Sequence, residues 1–164
     1  GANGPPKREG WRVNDMGEGR TAEGAALFDI VVEVSRTFFR LRAAGSQIGA
    51  VSPWGGGLWG FLRSLQVQGP QTVPQIARAR PVSRQRIQRL ADEAAESGLV
   101  EFTDNPAHRR SKLVRLTPEG ATLVRQLTEK IADISGDLAH GMDEQELRTT
   151  AKVLRRLREK LEAA

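Results

Sequence analysis

The sequence predicts a mainly α-helical fold with one small β-hairpin. Apolar residues recur at helical spacing along most of the chain, and helix-capping residues precede several of these segments. Two short apolar runs, 99–103 and 112–117, flank a polar loop and predict the two strands of the hairpin. At 164 residues, the chain suits one domain, or one domain with a dimerisation extension.

Residues 21–44 predict the first helix, which follows an arm of different composition. Residues 1–20 are rich in glycine and lack apolar periodicity, so we expect a flexible N-terminal arm. The helix then carries a heptad-type apolar stripe, which suits packing on another long helix. The stripe consists of Leu27, Val31, Val34, Phe38 and Leu41. Gly45 is expected to end this helix.

The second helix has two candidate starting points. Ser52-Pro53 resembles an N-cap followed by proline at the first helical position. The following Gly55-Gly56-Gly57 would cost a helix roughly 1 kcal/mol per glycine relative to alanine. The helix therefore begins either at Pro53, with a first turn packed very closely against a neighbour, or near Leu58. Gly69-Pro70 ends it in both cases.

Two capping signals in close succession predict a pair of helices joined by a tight turn. Thr72 and Gln75 can form a capping box at the start of a short helix. That helix ends before Pro81, because proline disfavours helical geometry in the preceding residue. Ser83 then caps the next helix, and Gly98 ends it.

Basic charge concentrates in this part of the chain. Five arginines fall between positions 78 and 89 with no acidic residue among them, and the hairpin loop 105–111 is also basic. Residues 71–115 carry 9 basic and 5 acidic side chains, whereas residues 116–164 carry 8 and 9. Helix, tight turn, arginine-rich helix and basic hairpin follow one another as in a winged helix-turn-helix, a module that binds duplex DNA.

Two further helices complete the predicted fold. Thr117-Pro118-Glu119 provides a cap, a proline at the first helical position and an acid that favours the helix dipole. Apolar residues then recur at Leu123, Leu127, Ile131, Ile134 and Leu138, and beyond Gly141 at Leu147, Leu154, Leu157 and Leu161. Both ends of the chain thus bear apolar stripes that can pack on each other or on a second copy of the chain.

The helix order, the hairpin position and two motifs resemble the MarR family of bacterial transcriptional regulators. The resemblance spans residues 21–161 and is sharpest in VSRQRIQRLADEAAESGLV and NPAHRRSKLVRLTPEG. It implies a homodimer of six-helix chains, with the hairpin between the fourth and fifth helices. Residues 21–50 and 121–164 would form a helical dimerisation region, and residues 51–120 a winged helix-turn-helix DNA-binding domain.

The same resemblance implies how DNA would be bound. The fourth helix would enter the major groove of a palindromic operator, and the wing would reach the adjacent minor groove. Repression is the expected mode of action, since a dimer over a promoter blocks polymerase. Two positions depart from the family: His108 stands where many members have an aspartate that orients a wing arginine, and the triple glycine at 55–57 is not a family hallmark.

The candidate DNA-binding residues lie on the arginine-rich helix and on the wing. They are Ser83, Arg84, Gln85, Arg86, Gln88 and Arg89 on the helix, and Arg109, Arg110 and Lys112 on the wing. Arginine can bind guanine O6 and N7 with two hydrogen bonds, and glutamine suits adenine N6 and N7. Arg86 is expected to contact phosphate or to pair internally, and Arg110 is the favoured wing contact. Contact with phosphates alone stays open as an alternative.

A small-molecule pocket is a second, independent hypothesis. Regulators that resemble this chain often bind a small aromatic or anionic effector between the dimerisation helices and the DNA-binding lobe. Phe38, Arg42, Trp54, Trp59 and Arg63 lie in segments expected near that junction. The alternative is that these aromatic residues belong to the core.

Other functional classes find little support in the residues. The chain has no cysteine, its two histidines lack a nearby nucleophile, and no phosphate-binding loop or metal-spacing cluster stands out. We therefore expect no catalytic residue, no metal and no cofactor. No run approaches the roughly 20 apolar residues that span a bilayer, so we expect no membrane association and a cytoplasmic location. A winged-helix protein assembly module and a non-specific DNA-binding protein remain as alternatives.

Overall fold

The computed structural model describes residues 21–51 and 57–164. Within that part of the chain it contains six helices and three short strands. In chain order these are α1 (Ala22–Gln47), α2 (Leu58–Gln68), β1 (Gln71–Thr72), α3 (Val73–Ala79), α4 (Arg84–Glu96), β2 (Val100–Thr103), β3 (Leu113–Leu116), α5 (Pro118–Leu138) and α6 (Glu144–Glu162). The predicted mainly α-helical fold with a β-hairpin is confirmed. The arm at 1–20 and the Ser52-Pro53 start lie outside the described residues.

The described residues fall into two compact units. Residues 36–138 form the larger one, and residues 21–35 with 139–164 form the other. The two units are defined by packing and not by function. The division into a dimerisation region and a DNA-binding domain therefore stays a prediction.

The ends of the first two helices refine the expectations from sequence. Helix α1 continues through Gly45 to Gln47, so the expected stop at Gly45 is wrong. The reason is that a helix tolerates an interior glycine at a modest energetic cost. The left-handed residue lies further on, at Gly49, with φ of 78°. Helix α2 begins at Leu58, which is the later of its two candidate starts.

The capping signals of the helix-turn-helix are confirmed. The Thr72 hydroxyl accepts from the Gln75 backbone N–H, and the Gln75 side chain accepts from the Thr72 backbone N–H at 2.8 Å. The Ser83 hydroxyl accepts from the Arg86 backbone N–H at 3.2 Å. Gly98, with φ of 75°, follows the end of α4. These local bonds satisfy N–H groups that a helix start leaves without partners.

A three-stranded antiparallel sheet supports the hairpin. Its strand order is β1-β3-β2, and Phe102 lies opposite Val114 in the register of the hairpin. The two hairpin strands match the predicted ones, except that β2 starts one residue later and β3 is one residue shorter at each end. Strand β1 was not expected from the sequence. Its Gln71 is buried, and the Gln71 side-chain amide donates to the Ser64 carbonyl oxygen at 3.1 Å.

The core lies within residues 36–138. Helices α2, α3, α4 and α5 surround it together with the sheet, and its most fully buried large side chains are Phe61, Leu62, Ile76, Val114, Val124 and Leu127. The start of α5 approaches the α4–β2 turn closely: the Thr117 hydroxyl donates to the Gly98 carbonyl oxygen at 2.6 Å. A Cβ atom at Gly120 would lie 1.9 Å from the Leu99 carbonyl oxygen. The glycine of the LTPEG motif is therefore a steric requirement.

Helices α1 and α6 differ from the rest because neither contains a buried residue. On α1 the exposed fraction is 45% for Val31, 51% for Phe38 and 70% for Phe39. Helix α6 begins at the Asp143 cap, whose carboxylate accepts from the Gln145 backbone N–H at 2.8 Å. Across residues 21–51 and 57–164, no helix has both the length and the apolar composition required to cross a membrane.

Candidate nucleic-acid interface

Helix α4 separates an apolar face from a polar one. Its inward residues are Ile87, Leu90, Ala91 and Ala94, all of them buried. Because side chains three and four positions apart share one side of a helix, the residues between them face solvent. The exposed set contains Arg84, Gln85, Arg86, Gln88 and Arg89. Core packing therefore fixes which side of α4 a partner can reach.

A groove of about 730 Å³ runs between α4, the start of α3 and the hairpin. Its lining residues are Val73, Pro74, Arg84, Gln85, Gln88, Asp92, Phe102, Arg110, Ser111 and Lys112. Five of the nine proposed DNA contacts thus lie along one surface, although helix and wing are separate in sequence. Ser83, Arg86, Arg89 and Arg109 do not line it. We call this surface the basic groove, since Arg84, Arg110 and Lys112 give it positive charge.

Short-range hydrogen bonds shape the wing loop. The Asn105 side-chain oxygen accepts from the Ala107 backbone N–H at 3.1 Å, and the Ser111 backbone N–H donates to the His108 carbonyl oxygen at 3.3 Å. These turns present Arg109 and Arg110 to solvent. Among the described residues, neither arginine forms an ion pair. Both guanidinium groups can therefore turn toward a phosphate or a groove.

One contact in the basic groove was missed by sequence reasoning. The Gln88 side-chain amide donates to a carboxylate oxygen of Asp92 at 2.9 Å. The signal was available, because glutamine and aspartate four residues apart on a helix are neighbours that can form this bond. Asp92 is also the one acidic residue among those that line the groove.

The proposed effector residues form two separate cation–π pairs. The Arg42 guanidinium carbon lies 5.6 Å from the centre of the Phe38 ring, and that of Arg63 lies 5.5 Å from the Trp59 ring. The Trp59 indole N–H also donates to the Thr128 hydroxyl at 3.0 Å. Trp59 packs against the core, as the alternative to a pocket role requires. Trp54 lies outside the described residues.

A second groove, of about 340 Å³, lies between α2 and α3 and includes Arg63 and Arg80. It is not lined by Phe38, Arg42 or Trp59. The Arg80 guanidinium rests on α2, where a Cβ atom at Gly60 would lie 2.4 Å from Arg80 Nη2. Burial lowers the pKa of Arg80 below its ordinary value. Arg80 therefore packs on the α2 backbone, which the sequence did not indicate.

The fold and this surface define a class of protein: the winged helix-turn-helix, a module typical of DNA-binding proteins. Comparisons with known proteins agree. The family model described as MarR family matches residues 59–111. An uncharacterized protein of Mycobacterium tuberculosis is 34% identical over 128 residues, which cover 78% of this chain and 89% of the relative.

Solved structures extend the agreement beyond the residues that the family model matches. The crystal structure of a MarR family transcription regulator is 27% identical, with a TM-score of 0.68, and the match covers 85% of this chain and 92% of that one. Bordetella bronchiseptica BpsR, whose DNA binding is regulated by 6-hydroxynicotinic acid, is 22% identical with a TM-score of 0.67 over 78% of this chain and 91% of BpsR. At that identity, the likeness to BpsR shows the fold alone.

The chain belongs to the MarR family of transcription regulators. The resemblance that the sequence motifs indicated is thereby confirmed, and the chain is a DNA-binding regulator rather than an enzyme.

Proposed function

We propose that this regulator acts in the cytoplasm as a homodimer that binds a palindromic operator and represses transcription. The observation that carries the proposal is the basic groove, which joins Arg84, Gln85 and Gln88 of α4 to Arg110 and Lys112 of the wing. A surface of this charge suits a DNA strand that passes between a recognition helix and its wing.

Within this proposal, the residues of α4 and the wing have different roles. Arg84 and Gln85 lie in the first turn of α4, from which recognition helices contact base edges. Arg110 and Lys112 contact phosphates or the adjacent minor groove, where they add affinity without specifying bases. Outside the groove lining, Ser83, Arg86, Arg89 and Arg109 serve as candidate contacts to the flanking phosphate backbone.

The apolar stripe of α1 supports the homodimer. Leu27, Val31, Val34, Phe38 and Leu41 are each 38% to 59% exposed in the single chain, and large exposed apolar patches mark protein interaction sites. A second copy would cover this stripe together with Leu147 and Leu161 of α6, which are 37% and 61% exposed. Two-fold symmetry would then place two α4 helices at half-sites one helical turn apart, ~34–36 Å.

An effector that releases the operator is the second part of the proposal. The description of BpsR as regulated by 6-hydroxynicotinic acid supports a small aromatic acid as its chemical class. The aromatic and cationic pairs Phe38–Arg42 and Trp59–Arg63 offer the apolar surface and positive charge that such an acid requires. Trp54 remains a candidate member of the same site.

Titration of aromatic acids against the protein–operator complex tests the effector. We expect one of a panel of hydroxybenzoic and hydroxynicotinic acids to lower operator affinity in a fluorescence anisotropy assay. Arg63→Gln should shift the effective concentration of that acid, whereas Arg125→Gln, an exposed arginine on α5, should leave it unchanged. If no acid of the panel changes operator affinity, the effector part of the proposal is contradicted.

Selection of bound sequences from random duplex DNA tests the function itself. We expect enrichment of an inverted repeat whose half-sites are one helical turn apart, bound by two copies of the chain. A specificity ratio of about one between selected and random duplexes would instead identify a non-specific DNA-binding protein. Absence of any binding would favour a protein assembly module.

A further inference from the structure

Gln88 lines the basic groove, and the hydrogen bond that it forms with Asp92 determines the orientation of its side-chain amide. Its side-chain nitrogen lies 2.9 Å from Asp92 Oδ1. An ionised carboxylate only accepts hydrogen bonds, so the NH₂ group of the amide, and not its oxygen, must face Asp92. The carbonyl oxygen of Gln88 is thereby directed away from Asp92. Both side chains are exposed, so a base edge can reach the amide.

We infer that Asp92 is a positioning residue that holds the Gln88 amide in one orientation and so specifies adenine in each half-site. This inference rests on the proposed insertion of α4 into the major groove. With one N–H engaged by Asp92, Gln88 offers a carbonyl oxygen and a second N–H. Adenine presents the matching pair there, a donor at N6 and an acceptor at N7.

The other bases match this arrangement less well. Guanine presents two acceptors, O6 and N7, and an unrestrained glutamine can donate to both with its two N–H bonds. Asp92 prevents this, because it already holds one of those N–H bonds. Thymine presents only the O4 acceptor, and cytosine only the N4 donor, so each satisfies one of the two remaining groups.

Asp92 also carries a negative charge, which affects DNA affinity separately from its bond to Gln88. The other charged residues that line the groove, Arg84, Arg110 and Lys112, are all basic. A carboxylate among them repels phosphates and lowers affinity for every DNA sequence. Positioning and repulsion are separable, because repulsion acts on every DNA sequence alike, whereas positioning acts only at the base that Gln88 contacts. Asparagine at this position carries no charge, and its amide can either accept from Gln88 or donate to it, so it does not fix the Gln88 orientation.

The experiment compares five variants of the full chain, four single substitutions and the Gln88→Ala, Asp92→Ala double variant. Each is tested by site selection and by binding to four operators that differ only at the base assigned to Gln88. Gln88→Ala identifies that base as the position whose preference it abolishes. Asp92→Ala removes both the bond to Gln88 and the charge, and Asp92→Asn removes the charge and permits both orientations of the Gln88 amide. Glu96→Ala is the matched control, since it deletes an exposed acid one turn further along α4. Circular dichroism melts establish that all five variants are folded.

The wild-type chain should prefer adenine over guanine at this position by about 5- to 100-fold. Asp92→Ala should reduce that ratio to about two-fold or less and should do so at the same position as Gln88→Ala. In a Gln88→Ala background, Asp92→Ala should change no base preference. Asp92→Asn should reduce the adenine preference as well, because the Gln88 amide can then take either orientation. Glu96→Ala should keep the adenine preference.

Three results would overturn the inference. The first is an Asp92→Ala profile identical to the wild type, the second is loss of preference at a different base, and the third is equal loss of preference in Glu96→Ala. If the wild-type chain selects an inverted repeat and any of these results is obtained, the proposed function stands and only the role of Asp92 is contradicted. If the wild-type chain selects no sequence, both the proposed function and the role of Asp92 are contradicted.

Discussion

Two regions of this chain carry similar apolar periodicity but bury it differently. Between α2 and α5, the periodic residues meet one another, and Phe61 is fully buried. On α1 the residues of the apolar stripe stay 38% to 59% exposed, and Phe39, which lies beside the stripe, retains 70% of its accessible surface. Apolar periodicity in the sequence indicates an amphipathic helix, whereas burial in the structure shows whether the chain itself supplies the surface on which that helix packs. The proposed homodimer accounts for the difference.

Truncation of one phenylalanine in each region should give the largest contrast. Phe61→Ala removes a fully buried ring, so we expect the free energy of unfolding to fall by about 3–5 kcal/mol. Phe39→Ala removes a mostly exposed ring and should cost less than about 1 kcal/mol. Urea unfolding followed by circular dichroism, at one protein concentration, measures both. Equal losses would mean that α1 is as well covered as the core.

Introduction of a charge on the α1 stripe tests the proposed partner directly. Val31→Asp would place a carboxylate in the dimer interface, where burial without a counter-charge costs several kcal/mol. We expect the dissociation constant of the dimer to rise by about two orders of magnitude or more, in sedimentation equilibrium, with helix content unchanged. Arg40→Asp adds the same group on the opposite side of α1 and should leave the dimer intact. Dissociation by both variants would contradict the stripe as the interface.

Local signals in the sequence were sufficient to locate most elements of the winged helix. The Thr72 capping box and the Ser83 cap each act through bonds that span three residues, so the sequence alone contains them. Gly98 adopts a left-handed conformation that few other residues tolerate, which makes it a reliable helix end. The apolar runs 99–103 and 112–117 located the hairpin, and the MarR-like motifs indicated the family.

Features that depend on distant residues could not be predicted in the same way. Strand β1 exists because Gln71 and Thr72 pair with Val114 and Leu113, and two residues carry too little periodicity to reveal a strand. Only the close approach of α5 to the Leu99 carbonyl oxygen shows why position 120 requires glycine. Within the proposed site, sequence gave the residue types, whereas the groove that unites α4 with the wing is a product of the fold.

Loss of Arg84 or of Arg110 should weaken DNA binding to an intermediate degree, and only the loss of Arg84 should change base preference. Arg84→Ala should weaken cognate binding by about 1–3 kcal/mol and relax base preference, because Arg84 is placed to contact a base edge. Arg110→Ala should weaken binding similarly on all sequences and reduce the salt slope by about 1, as loss of a phosphate contact does. Anisotropy titrations at several salt concentrations, on cognate and scrambled duplexes, distinguish them. Uniform loss across sequences for both variants would contradict these separate roles.

Removal of the α4 cap should have the smallest of these effects, on both stability and operator affinity. Ser83→Ala leaves the Arg86 backbone N–H without its hydroxyl partner, so we expect a stability loss of about 0.5–2 kcal/mol. Ser97→Ala alters a serine at the other end of α4 and should cost less than about 0.5 kcal/mol. Because the cap lies beside Arg84, Ser83→Ala should also lower operator affinity through fraying of the first turn of α4. A loss of affinity without any loss of stability would instead assign Ser83 a direct contact with DNA.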